Sequence, residues 1–116
     1  IHAIHDRQIA EHGGLPGVRD EGLLQSALSR PENLYFYGDP KPDISDMAAA
    51  YGFGISKNHP FNDGNKRTAL IAIRLFLKLN GFDLTATGPE KFTMIVELAS
   101  SHIDESDLSS WIRDRI

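Results

Sequence analysis

Asn65-Lys66-Arg67-Thr68-Ala69-Leu70-Ile71-Ala72-Ile73-Arg74-Leu75-Phe76-Leu77-Lys78-Leu79-Asn80 is the stretch that decides the fold. From Thr68 to Leu79 nearly every position is apolar except Arg74 and Lys78, and at about 100° per residue those two and Arg67 fall within about 20° of one line. A helix apolar on almost every other side belongs in the middle of a bundle, so residues 65–80 are expected to form a buried hub. Gly81 stands where a left-handed residue closes a helix.

Outward from the hub, the pattern is helical in both directions. Upstream, Asp43 can cap a helix in which Ile44, Met47, Ala48 and Tyr51 recur at three and four residues, and the chain should leave it at His59-Pro60. Residues 31–42 hold three prolines, a glycine and Tyr35-Phe36-Tyr37, which read as a long loop with an apolar anchor. Asp20 is placed to cap a helix carrying Leu23, Leu24, Ala27 and Leu28 and ending before Pro31. Gly13 to Gly17 form a shaped loop after a first helix marked by Ile1, Ile4 and Ile9. Downstream, Phe82 to Thr87 can be a short extended stretch. Gly88-Pro89 opens a helix with Phe92, Ile95, Val96 and Ala99, and Leu108, Trp111 and Ile112 mark a last amphipathic one. The expected fold is all-α, five to six helices around a central buried helix, in one domain spanning residues 1–116. The chain begins at Ile1, not Met, so further N-terminal residues are expected to precede it.

With 116 residues, 41% of them hydrophobic and 24% charged, the chain has ordinary globular composition and can bury a real core. The absence of Cys excludes a disulfide framework, thiolate catalysis and cysteine-ligated zinc. The longest strongly apolar stretch, Ala69 to Leu79, is too short and too charged to span a bilayer. A cytoplasmic protein that engages neither membrane nor nucleic acid directly is the expectation. The net charge of −4 is unevenly spread. Lys57 to Lys78 holds five cations against Asp63, a local +4, and the rest carries seven cations and fifteen acids. A basic island in an acidic chain suggests a local anion site and not a broad nucleic-acid face.

That island contains His59-Pro60-Phe61-Asn62-Asp63-Gly64-Asn65-Lys66-Arg67. A helix starting here offers unpaired backbone N–H groups from Gly64, Asn65 and Lys66 and the positive end of its dipole, which suit phosphate. Gly64 permits close approach, Lys66 and Arg67 add cationic donors, and Arg67 can bind phosphate oxygens in bidentate fashion. Asp63 supplies a hard carboxylate oxygen for Mg²⁺, and His59 can take a proton from an attacking hydroxyl. Phe61 is an apolar anchor for the loop. A base, a metal carboxylate and an anion cradle together point to phosphoryl-group transfer. Each residue alone has a plainer use: Asp63 as a helix cap, Gly64 and Asn65 as turn residues, Lys66 and Arg67 as a solvated basic pair. Their co-occurrence in nine positions favours the chemical reading. The histidines His2, His5, His12 and His102 provide no clear partners for a zinc site at His59 and Asp63, and His2 with His5 is expected on a solvated helix surface.

His59 to Arg67 resembles the signature of the Fic/Doc family, His-x-Phe-x-Asp/Glu-Gly-Asn-(Gly or Lys)-Arg, and is most similar to its Doc, or death-on-curing, toxin branch. Gly13 to Asp20 and Thr68-Ala69-Leu70 also resemble Doc proteins. The resemblance implies His59 as general base, Phe61 as loop anchor, Asp63 as Mg²⁺ ligand, Gly64 and Asn65 in the anion hole and Arg67 on nucleotide phosphate. The AMP-transferring members have Gly where this chain has Lys66, and a second Arg where it has Leu70. Those differences disfavour ATP in the AMP-transferring orientation. The resemblance implies instead a toxin of a type II toxin–antitoxin pair, an ATP- and Mg²⁺-dependent kinase that passes the γ-phosphoryl group to a Ser or Thr hydroxyl of a translation elongation factor. Transfer of AMP to a protein hydroxyl and a non-catalytic helical module that binds anions are the alternatives. Neither Ser101 to Ser106 nor Thr93 to Leu98 completes the inhibitory helix motif of the family, so inhibition is expected in trans, by an antitoxin peptide or protein. Leu23 to Leu28 and Tyr35 to Tyr37 are candidate groove linings for it, with core packing as the competing use.

Overall fold

The computed structural model describes residues 1–116 as six helices and no strand: α1 (His2–His12), α2 (Glu21–Tyr37), α3 (Ile44–Asn58), α4 (Asn65–Leu79), α5 (Gly88–Ala99) and α6 (Glu105–Arg113). Most of the boundaries follow from local chemistry. Asp20 accepts from the Leu23 N–H at the start of α2. Asp43, Thr87 and Asp104 each form a reciprocal capping box with the side chain three residues on, Asp46, Glu90 and Asp107 respectively. At the end of α4 the Gly81 N–H reaches the Lys78 carbonyl (3.1 Å) and the Phe82 N–H reaches that of Leu77 (2.9 Å), with Gly81 at φ 87°. That is a Schellman closure, which needs a left-handed residue at this point. No helix is long and apolar enough to cross a membrane.

The centre of the bundle is α3, not α4. Helices α2, α4, α5 and α6 all pack on α3, and Ala48, Ala49, Ala50, Gly52, Gly54 and Ile55 are buried along it. Small residues make this possible. A Cβ on Gly54 would stand 3.0 Å from the backbone of Ala27, so α2 crosses here with main chain nearly touching main chain. Helix α4 buries Thr68, Ala69, Ala72, Ile73 and Leu77 on one face, while Leu75 is 44% exposed and Leu79 77% exposed. Bulky apolar residues all round a helix do not place it at the centre, because four neighbours can close on one helix at short interaxial distance only over small side chains. The three cations Arg67, Arg74 and Lys78 do lie together on the solvent side of α4.

Helix α2 does not end before Pro31. It runs through that residue to Tyr37, with the Pro31 ring buried. An interior proline costs about 3 kcal/mol by deleting a backbone donor and crowding the preceding turn. Here the ring is buried, and the residue just before it, Arg30, stacks 4.6 Å above the ring of Phe53 on α3. The expected loop therefore shrinks to residues 38–43. Tyr35, Phe36 and Tyr37 are exposed, so they anchor nothing in the core, whereas Leu24 and Ala27 are core residues. The Phe82 to Thr87 stretch forms no strand and is tied instead to the C-terminus, Thr85 donating from its N–H (2.9 Å) and its hydroxyl (2.7 Å) to the Arg115 carbonyl.

Arg113 fastens α6 to the start of α3, with Nε at 2.8 Å from Asp43 and Nη2 at 3.0 Å from Asp46. Its guanidinium holds the Asp43 carboxyl down at about 2. A carboxylate that ionises at lower pH in the folded chain than in the unfolded one stabilises fully above about pH 4 and loses that contribution as pH falls. Arg113→Ala should therefore cost about 0.5–1 kcal/mol near pH 6, the range for half-exposed ion pairs. Urea denaturation should show the gap from the parent closing near pH 2. A gap that persists there would assign the cost to the packing of the arginine stem.

Candidate active site

The loop from His59 to Gly64 joins α3 to α4, and its shape is imposed by residues far away in sequence. His59 lies at φ 47°, ψ 55°, a left-handed conformation that a non-glycine residue adopts only when its surroundings hold it there. Arg19 provides the hold. Its guanidinium donates to the carbonyls of His59 (2.8 Å) and Asn58 (2.9 Å), closing the end of α3 where the dipole favours a cation. The backbone N–H groups of Arg19 and Asp20 both donate to the Pro60 carbonyl, Val18 bridges to Phe61, and the Asn62 N–H donates to Gly17 (3.2 Å). The Asn62 side chain also donates to the Pro16 carbonyl at 3.0 Å. Residues 16–20 thus form a brace along one side of the loop.

From below, the loop is pinned by Phe61, which is 1% exposed. The Asn65 side chain closes on this residue twice, its Oδ1 accepting from the Phe61 N–H and its Nδ2 donating to the Phe61 carbonyl, both at 3.0 Å. Asn65 can therefore offer a ligand only its backbone. The parallel ring of His5, 3.8 Å away and tilted by 6°, covers Phe61. His5 is buried and not on a solvated surface as its neighbourhood suggested. Ile1, His5 and Ile9 at successive intervals of four residues are the signal that could have placed it inward.

Helix α4 begins at Gly64 (φ 74°, ψ 18°), and no side chain caps it. The Gly64 N–H is taken by Asp63 Oδ1 at 2.9 Å, so the unpaired set differs by one from that expected. The N–H groups of Asn65, Lys66 and Arg67 have no acceptor within the protein. They open into a cleft of about 310 Å³ lined by His59, Asn62, Asp63, Gly64, Asn65, Lys66, Arg67 and Phe92. All six residues singled out for chemistry (His59, Asp63, Gly64, Asn65, Lys66, Arg67) therefore face one space. Lys66 and Arg67 are exposed and enter no ion pair, and the imidazole of His59 has no partner in the protein. Phe92, contributed by α5, is the one apolar lining residue, and nothing in its local sequence distinguishes it from a core position. The largest hollow, about 510 Å³, lies elsewhere, among Asp39, Asp46, Asp104 and Glu105 with Arg30, and its carboxylates repel a phosphate.

The donor set suits a magnesium ion. No cluster of three or more metal-ligating side chains exists in the chain. Mg²⁺, however, is held by one or two carboxylates and completes its shell with water and substrate phosphate oxygens. Asp63 is exposed to the cleft and its Oδ2 lies 3.4 Å from the Leu15 N–H. A Cβ at Gly14 would come within 2.5 Å of that oxygen, so the glycine leaves the carboxylate its place.

The model of the Fic/DOC family matches residues 1–77, more than half of the sequence and the whole of the site apart from Phe92. The chain belongs to the Fic/Doc family. Among similar proteins, the protein kinase doc of Escherichia phage P1 is 34% identical over 111 residues, which cover 96% of this chain and 86% of that protein. Toxin Doc of Mycolicibacterium smegmatis is 45% identical over 74 residues, 64% of this chain and 57% of that protein. Both likenesses fall to the Doc branch, in keeping with Lys66 and Leu70.

Asn65→Ala would leave both polar groups of Phe61 unpaired in a buried loop, and should destabilise the protein by about 2 kcal/mol or more in urea denaturation. Asn65→Asp, which retains the acceptor and loses the donor, should also destabilise it. An alanine variant as stable as the parent would remove the side chain from loop closure.

Proposed function

We propose that this chain is the toxin of a toxin–antitoxin pair and works as an ATP-dependent protein kinase. The observation that carries the reading is the cleft itself: an uncapped helix N-terminus with three free N–H groups, two unpaired cations and one carboxylate, with an unpartnered imidazole at its edge. The N–H groups of Asn65, Lys66 and Arg67 and the side chains of Lys66 and Arg67 bind and orient the terminal phosphates of ATP. Asp63 would hold Mg²⁺, which neutralises charge on the phosphates when bound. His59 accepts the proton of a Ser or Thr hydroxyl as its oxygen attacks the γ-phosphorus. The bond to the β-bridging oxygen breaks and ADP leaves. Phe92 offers an aromatic face beside the cations.

Lys66 and Leu70 support γ-phosphoryl over AMP transfer. The Lys66 side chain fills space beside the free N–H groups and brings charge to the far end of the phosphate chain, and at position 70 an apolar side chain stands where a second phosphate clamp would be. The phage P1 relative, whose name is protein kinase doc, supports the same choice. The target we propose is a translation elongation factor in the cytoplasm, so that modification arrests protein synthesis. An antitoxin in trans is the proposed inhibitor, since neither Ser101 to Ser106 nor Thr93 to Leu98 supplies an inhibitory motif in cis.

Purified protein with ATP and Mg²⁺ in a translation extract should arrest synthesis and add a phosphate-sized mass to one protein. His59→Ala should lower the rate by about a hundredfold or more. An AMP-sized increment would replace this reading by nucleotidyl transfer, and arrest without any modified protein would end the enzymatic reading.

Lys66→Gly should weaken phosphoryl transfer by about tenfold or more, as loss of one charged donor at a developing phosphoryl charge does. Steady-state kinetics with ATP check this, and unchanged transfer would remove Lys66 from the mechanism.

A further inference from the structure

His5 sits outside the signature loop by more than fifty positions, yet it is the only side chain of α1 that hydrogen-bonds to the loop. It is 1% exposed, its Nε2 lies 2.7 Å from the Asp63 carbonyl oxygen, and its ring is stacked on Phe61. A carbonyl oxygen only accepts, so Nε2 carries the proton and donates. The Asp63 carbonyl receives no backbone N–H, because the first bond of α4 runs from the Thr68 N–H to Gly64. His5 thus supplies the donor that the helix itself does not. The Gly64 position faces the same ring, since a Cβ there would lie 3.7 Å from His5 Nε2. Among the helices, α1 packs chiefly on α4, and this is the one side-chain hydrogen bond it makes to the loop.

We infer that His5 is a positioning residue: by holding the Asp63 carbonyl and the Phe61 ring, it sets the peptide plane from which the Asp63 carboxylate and the free N–H groups of α4 are aimed into the cleft. This rests on the phosphoryl-transfer reading for its kinetic consequence, but its structural part does not. The hydrogen bond and the ring stacking can be separated by substitution. His5→Phe keeps a ring against Phe61 and deletes the donor. His5→Gln keeps a donor at the same number of bonds from the backbone and deletes the ring.

The test compares the two full-length variants with the parent by melting temperature, by amide hydrogen exchange at Gly64 and Asn65, and by kcat and KM for ATP. In His5→Phe, with a melting temperature close to the parent's, exchange at those amides should quicken by about tenfold or more. Its kcat should fall by about tenfold or more with KM changed less than about threefold, as expected when the reacting geometry is misplaced while the nucleotide still binds. His5→Gln should recover most of the kcat. Parent-like exchange and kcat in His5→Phe would overturn the inference. So would losses in both variants that track their melting temperatures, or failure of both to fold, since His5 would then be a core residue only. Should the parent transfer no phosphoryl group, the functional reading falls, and the exchange measurement still decides the role of His5.

Discussion

The side chain of Asn65 bonds both polar groups of Phe61, and this closure is what allows α4 to begin without a capping side chain. A helix normally spends a Ser, Thr, Asp or Asn oxygen on its first free N–H groups. The four other helices that follow a turn in this chain show varied ways of doing so, and three of them use full capping boxes. At α4 the first helical residue, Asn65, is turned backward to lock the loop, and glycine stands at the cap position. The donors left over are the ones that a phosphate would take. Stability that a cap would contribute, about 1 kcal/mol, is absent at this end, where an anion can restore it.

Much of this was legible in the sequence, because it is local. Asp20, Asp43 and Gly81 act on N–H and carbonyl groups within a few residues, so their identity and spacing suffice to place the starts of α2 and α3 and the end of α4. The nine residues from His59 to Arg67 were legible for the same reason: one loop and one helix turn bring them together. What the sequence concealed depends on distance. Pro31 reads as a stop, and the helix that runs through it is supported by packing on α3, a contact distant in sequence. Hydrophobicity singles out residues 65–80 as the centre, but crowding favours the small residues of α3. Arg19, Gly14, Phe92 and His5 each reach the site from another element. Of these only His5 carried a periodic hint, its register with Ile1 and Ile9.

Charge is organised on the same plan. The cations of residues 57–78 include Lys66 and Arg67 at the cleft and Arg74 and Lys78 farther along the same side of α4. The opposite sign gathers around the 510 Å³ hollow, where Arg30 and Arg113 are already committed to Glu105, Asp43 and Asp46. An approaching polyphosphate is therefore drawn to the α4 side, where the signature cleft and a second hollow beside Arg74, Lys78 and Lys91 are both basic, and is repelled from the 510 Å³ hollow. This separation is worth more than the net charge, because at physiological ionic strength fields are screened within about 8 Å and only the local arrangement is felt.

The residues of the cleft are held to different degrees, and the differences match the roles proposed for them. Asp63 is fixed on three sides: its carbonyl by His5, one carboxylate oxygen by the Gly64 N–H and the other near the Leu15 N–H, with Gly14 leaving room. A single carboxylate that must orient a small, strongly hydrated ion gains from being placed before the ion arrives. His59 is the reverse case. Its backbone, in a left-handed conformation, is held by Arg19, while its imidazole has no orienting partner within the chain. A general base for a protein hydroxyl can take its final orientation only from the incoming substrate, since the hydroxyl is the one partner able to hydrogen-bond it in the reacting geometry. Under the proposed reaction, rigid backbone beneath a free imidazole would let the target side chain complete the site, so the rate would depend on how well the target docks as well as on the nucleotide already bound.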